Sequence, residues 1–152
     1  MEAKKLREEA LKVLRGAVVG VLATASPDGI PHAAAVLFSA DENLMVYFVT
    51  KSLTAKHKNL LKNDLVSLAV NFGPPVYIQI QGRAELVTHP MEREAIIDRV
   101  AKQGATLSHV WPPILLVGGD YCAYRVKPSS IRATDLSSKP ILKGESAHFD
   151  FL

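Results

Sequence analysis

From Val76 to Val87 apolar and polar residues alternate almost without a break. Val76, Ile78, Ile80, Gly82, Ala84 and Leu86 fall on one side; Tyr77, Gln79, Gln81, Arg83 and Glu85 fall on the other. A side-chain period of two marks an extended strand with one dry face and one polar face. The rest of the chain reads as shorter segments of the same kind. Residues 17–25 (AVVGVLATA) are small and β-branched and end at Ser26-Pro27-Asp28-Gly29, a strand and its turn. Residues 32–38 and 44–50 are two further strands about a turn at Asp41-Glu42-Asn43, and 65–72 is another, stopped by Gly73-Pro74-Pro75. A closing pair is expected over about 114–126 and 130–134.

Three helices punctuate the strands. Residues 2–15 place Ala3, Leu6, Ala10, Val13 and Leu14 at spacings of three and four, and Gly16 ends the pattern. Ser52 or Thr54 can cap a short helix running to about Lys62, and Pro90 opens a third that runs to about Gln103. Residues 104–113, around Trp111-Pro112-Pro113, read as a loop. This order predicts a mainly β fold with flanking helices, a closed or split β-barrel whose ends the helices plug. Residues 1–152 form one domain without internal repeats, and about 136–152 form an extended C-terminal tail.

Composition narrows the function. The net charge is +3, and apart from Lys51, Lys56, Lys58 and Lys62 the cations are spread out. No basic stripe with interleaved aromatics is present, which argues against a nucleic-acid partner; a modest positive balance suits a small anionic ligand. The single cysteine, Cys122, cannot form an internal disulfide, and it reads as a core residue of an apolar strand. Met1–Arg15 lacks the apolar core of a signal peptide, and no apolar run approaches the ~18 residues of a membrane span. A cytoplasmic protein without a membrane partner is expected. His32, His57, His89, His109 and His148 show no metal-ligand spacing, so no metal is expected, and the chain has no G-x-S-x-G, Walker or Rossmann pattern.

Three motifs in series carry a resemblance. The first is Gly20-Val21-Leu22-Ala23-Thr24 followed by Asp28-Gly29-Ile30-Pro31. The second is Phe48-Val49-Thr50-x-x-x-Thr54-Ala55-Lys56-x-x-Asn59-Leu60, then Asn63-Asp64-x-Val66-Ser67-Leu68. The third is Ile80-Gln81-Gly82-x-Ala84-Glu85-Leu86-Val87. In this order, with Tyr124-Arg125-Val126-x-Pro128-x-x-Ile131 as a closing strand pair, they resemble the pyridoxamine 5'-phosphate oxidase-like, FMN-binding split-barrel family.

The resemblance implies a homodimer with FMN in a groove between subunits and a small-molecule substrate. It implies that Lys56 pairs with the flavin phosphate while Thr54 and Thr50 donate hydroxyls beside Ala55, a set a phosphate favours. Read from spacing alone, the same residues are a surface lysine on a Thr-capped amphipathic helix. The ring is expected along Ala34-Ala35-Val36-Leu37 with Val49 adjacent, Tyr77 where the oxidases carry a flavin-contacting glutamine, and Trp111 covering ring or substrate, or anchoring its own loop. His32 and His57 flank these positions. The activity implied is an FMN-dependent oxidoreductase using NAD(P)H. Relatives of this fold also allow a non-catalytic flavin or haem carrier, or a protein that takes the deazaflavin F420. The sequence departs from the true oxidases: Ala34 and Ala55 stand where they carry phosphate-binding arginines, and Asp135-Leu136-Ser137-Ser138 replaces their Arg-x-His ending.

Overall fold

A computed structural model describes residues 2–107, 120–137 and 148–150, the last three and Leu107 by backbone only. Its elements are α1 (Ala3–Gly16), β1 (Val19–Ala25), β2 (Pro31–Ala40), β3 (Val46–Lys51), α2 (Ala55–Leu60), β4 (Leu65–Val70), β5 (Val76–Leu86), α3 (Pro90–Gly104), β6 (Tyr121–Asp135) and β7 (His148–Asp150). All strand pairings are antiparallel. The order β3-β2-β1-β4-β5-β6 closes on itself through β3–β6, so six strands form a barrel and β7 lies outside it, on β6.

The alternation of β5 is obeyed residue by residue. Val76, Ile78 and Ile80 are buried in the barrel, while Gln79, Gln81, Arg83 and Glu85 face solvent. Leu22, Val36, Phe38, Phe48, Leu68 and Val126 fill the interior from the other strands. α1 closes one end with Leu6, Ala10 and Leu14, and burying each leucine contributes roughly 1.5–3 kcal/mol. α2 closes the other end with Leu60 and His57. α3 lies on the outer face, where Ile96 and Val100 pack with Leu37, Val87 and Ala123. Arg99 ties it down, donating to Ser39 Oγ at 2.6 Å and to the Ala40 carbonyl at 3.0 Å.

One expectation is corrected. The closing pair of strands is, over the described residues, one strand of 15 residues, β6. Pro128 offers no N–H, a reason to expect a break. The ladder instead slips: Gln81 pairs with Ser130 and Gly82 with Pro128, leaving Ser129 as the extra residue of a bulge. A Cβ on Gly82 would collide with the Lys127 carbonyl, so this approach needs glycine. Within the tail, His148, Phe149 and Asp150 pair as a short strand with Thr134, Ala133 and Arg132 of β6.

The barrel is solid. Between Leu22, Val36, Phe38, Phe48 and their neighbours the remaining cavity is about 10 Å³, at or below the space one water needs. A cofactor must therefore bind outside it.

Candidate functional site

The barrel opens at one seam. β2 pairs with β1 over Pro31–Leu37 but with β3 only over Phe38–Ala40. Beyond that point β3 continues as Val49-Thr50-Lys51, bonded to β6 and not to β2. Phe38 N donates to the Val18 carbonyl at 3.0 Å. By the alternation of an antiparallel ladder, the even residues of β2 therefore bond to β1, and Ala33, Ala35 and Leu37 aim their N–H and C=O groups into the seam. Val49 aims its own groups in from the opposite side. No strand among the described residues fills this slot. Main-chain polar groups along an open edge need partners, and a flat ligand with polar edges can provide them.

The expected ring-side residues divide by face. Ala35 is exposed and Ala34 half-buried. The Val36 side chain lies in the barrel core and its main chain is paired with β1, while Leu37 lies beneath α3 and can offer a ligand only backbone. Val49 packs against the same outer cluster as Leu37.

α2 stands at the seam's end. Thr54 is its N-cap: the His57 N–H donates to Thr54 Oγ1 at 3.3 Å. Thr54 Oγ1 in turn donates to the Lys51 carbonyl at 2.9 Å. Its one proton is thereby used, so in the 2.8 Å contact between Thr50 and Thr54 the Thr50 hydroxyl is the donor. Both hydroxyl protons are thus engaged within the chain, and binding a phosphate through them requires rotating them away. The donors that remain are the N–H groups of Ala55 and Lys56, which have no acceptor among the described residues, and the Lys56 ammonium. Lys56 is half-buried without an acidic partner among the described residues, and burial lowers its pKa from the usual lysine value.

Within one chain, Tyr77 does not join this group. It pairs with Thr134 at the start of β5, whereas the far end of β5, Leu86, pairs with Tyr124 near Cys122, the partner of Thr50. At about 3.3 Å per residue that is more than roughly 20 Å along the strand. The Tyr77 ring rests instead on Phe72, with centroids 6.0 Å apart. Trp111 lies outside the described residues.

Sequence reasoning missed a cluster behind α2. His57 is buried, with Nδ1 2.7 Å from Tyr124 Oη and Nε2 3.8 Å from Cys122 Sγ. The available signal was the spacing of three between His57 and the core residue Leu60, which puts both on the inner face. Asn59 donates from Nδ2 to Thr24 Oγ1 at 3.0 Å, a second tie from α2 to the barrel. No group of three metal-ligating side chains occurs among the described residues. No helix among them is long and apolar enough to cross a membrane.

No curated protein matches the sequence. Among solved structures, a Clostridium acetobutylicum protein related to general stress protein 26, of the pyridoxinephosphate oxidase family, is 15% identical with a TM-score of 0.69; the match covers 99% of this chain and 96% of that one. A heme-binding protein from Mycobacterium smegmatis is 16% identical with a TM-score of 0.71, covering 96% of this chain and 57% of that one. An F420 reductase is 23% identical with a TM-score of 0.62, covering 79% and 93%. At these identities the likeness establishes the fold, a split barrel. The family model described as pyridoxamine 5'-phosphate oxidase matches residues 6–135, from α1 to the last residue of β6. The chain belongs to the pyridoxamine 5'-phosphate oxidase family.

Proposed function

We propose that this chain is a cytoplasmic FMN-binding flavoprotein, an FMN-dependent oxidoreductase that passes electrons from NAD(P)H to a small molecule, and that it works as a homodimer. The observation that carries the reading is Lys56: among the described residues, a half-buried ammonium without an anionic partner, beside two N–H groups without an acceptor and at the end of an open main-chain slot. A phosphate completes the first group and a flavin ring completes the second. When bound, the flavin supplies the redox chemistry, and the protein's part is to orient and tune it. Lys56, with the N–H groups of Ala55 and Lys56, would hold the phosphate; the backbone of Ala33, Ala35, Leu37 and Val49 would meet the ring's polar edge. Tyr77, remote within one chain, is available to a site completed by a second copy.

Ala34 and Ala55 leave this phosphate with one side-chain cation where the oxidases of the family bring more, so the substrate assigned is a small molecule other than pyridoxamine phosphate. The same single-cation site and the likeness to an F420 reductase support a second reading, in which the deazaflavin replaces FMN. A haem ligated by His57 is disfavoured, because both its ring nitrogens are occupied by Tyr124 and Cys122.

The test is to load the purified protein with FMN, desalt it, record its absorption spectrum, and then assay NAD(P)H oxidation with a panel of acceptors. Retained flavin bands with turnover are expected. Retention without any turnover would leave a flavin carrier. Loss of FMN together with retention of F420 would transfer the site to the deazaflavin.

A further inference from the structure

α2 has only six residues, too few to hold itself in place through its own hydrogen bonds. Its position is set by what it touches: Leu60 in the core, Asn59 on Thr24, and His57. His57 follows Lys56 directly, and its backbone N–H is the bond that Thr54 caps. Its ring meets Tyr124 edge-on, at 5.9 Å between centroids and 65° between planes. Tyr124 is itself immobilised, buried and stacked on Phe48 at 5.0 Å and 9°.

We propose that His57 is a positioning residue that sets recognition of the ligand's phosphate, by bracing α2 against Tyr124 so that Lys56 stands at the mouth of the slot. The inference rests on reading the turn at Thr54–Lys56 as the phosphate site. Burial pushes the Tyr124 hydroxyl up to about 12, so it keeps its proton and can donate to Nδ1. Nε2, on the other side of the ring, faces Cys122 Sγ, so the brace is held at both ends. The slot lies on β2 and β3 and does not depend on this contact. Loosening the brace should therefore disturb the phosphate and spare the ring.

FMN and riboflavin differ only in the phosphate, so their affinities for one protein separate the two halves of the site. Titrations followed by flavin fluorescence would compare wild type with Tyr124→Phe, His57→Leu, His57→Gln and the double variant Tyr124→Phe/His57→Leu. The wild type should prefer FMN. If it binds FMN no better than riboflavin, the phosphate reading itself fails and the bracing role falls with it. Given that preference, Tyr124→Phe and His57→Leu should each weaken FMN about fivefold with riboflavin unchanged. The double variant should be no worse than His57→Leu alone, and His57→Gln, which keeps an acceptor for Tyr124, should recover part of the loss. An unchanged FMN-to-riboflavin ratio in folded Tyr124→Phe, or additive losses in the double variant, would overturn the inference. If His57→Leu does not fold, the ratio in Tyr124→Phe decides alone.

Discussion

In the proposed site Lys56 is the residue on which binding should turn, because a charge-assisted contact to phosphate is worth about 1.5–3 kcal/mol. Lys56→Ala should weaken FMN by at least about tenfold, with Lys56→Arg largely retaining affinity; a titration at low salt reads both. Thr50→Val should cost less, because the Thr50 proton is already given to Thr54. The converse experiment is Ala55→Arg. Ala55 is exposed in the first turn of α2, so an arginine fits there without disturbing the core, and it should raise FMN affinity about tenfold. A residue far from the slot contributes to acid stability. Ser137 donates to Asp135 Oδ1 from both its hydroxyl and its N–H, and its hydroxyl bond is the largest cause that lowers the carboxyl from 3.8 to about 2. The folded pKa lies below the unfolded one, so the stabilisation is complete above about pH 4 and is lost as pH falls toward 2. Asp135→Asn should cost on the order of 1 to 2 kcal/mol at neutral pH and almost nothing at pH 2, as read by denaturant melts at the two pH values.

At the scale of elements, β6 does the most. Its first half seals the barrel against β3, its second half carries β7, and β5 runs along both. Gly82 makes this continuity feasible by letting the Lys127 carbonyl come close. Gly82→Ala should destabilise the protein by about 1–3 kcal/mol in thermal or urea unfolding without first touching the slot. This is also where the sequence reading was weakest. A strand with a dry face, such as β5, announces itself by alternation, and the helices announced themselves by caps and apolar spacing. A bulge around a proline has no such period, so Pro128 reads as a break until the partner strand is seen. α2 shows the same limit: its cap and its lysine were legible, while the partners of His57 lie 65 and 67 residues away, brought near only by the closing of the barrel.

For the whole molecule, the barrel explains why the site is external. Packing leaves no interior room, so the open stretch of β2 is the place where, among the described residues, unpaired backbone and an unpaired cation meet. The motif series named both ends of the proposed site, Ala34–Leu37 and Thr54–Lys56, because each is contiguous in sequence. It could not show that the side chains of Val36 and Leu37 turn away from the slot, since that depends on which helix covers which face. Tyr77 carries the prediction that belongs to assembly. If a second copy completes the site, sedimentation should show a dimer, and Tyr77→Ala should weaken FMN about threefold or more although Tyr77 lies at the opposite end of its own barrel. The claim that joins these scales is that the phosphate of FMN sits on Lys56 and the ring lies in the seam between β2 and β3. A crystal structure of the protein grown with saturating FMN tests it directly. The phosphate is expected against Lys56 Nζ and the N–H groups of Ala55 and Lys56, with the ring along Ala35, Leu37 and Val49; flavin bound elsewhere, or no flavin at saturation, would contradict this placement.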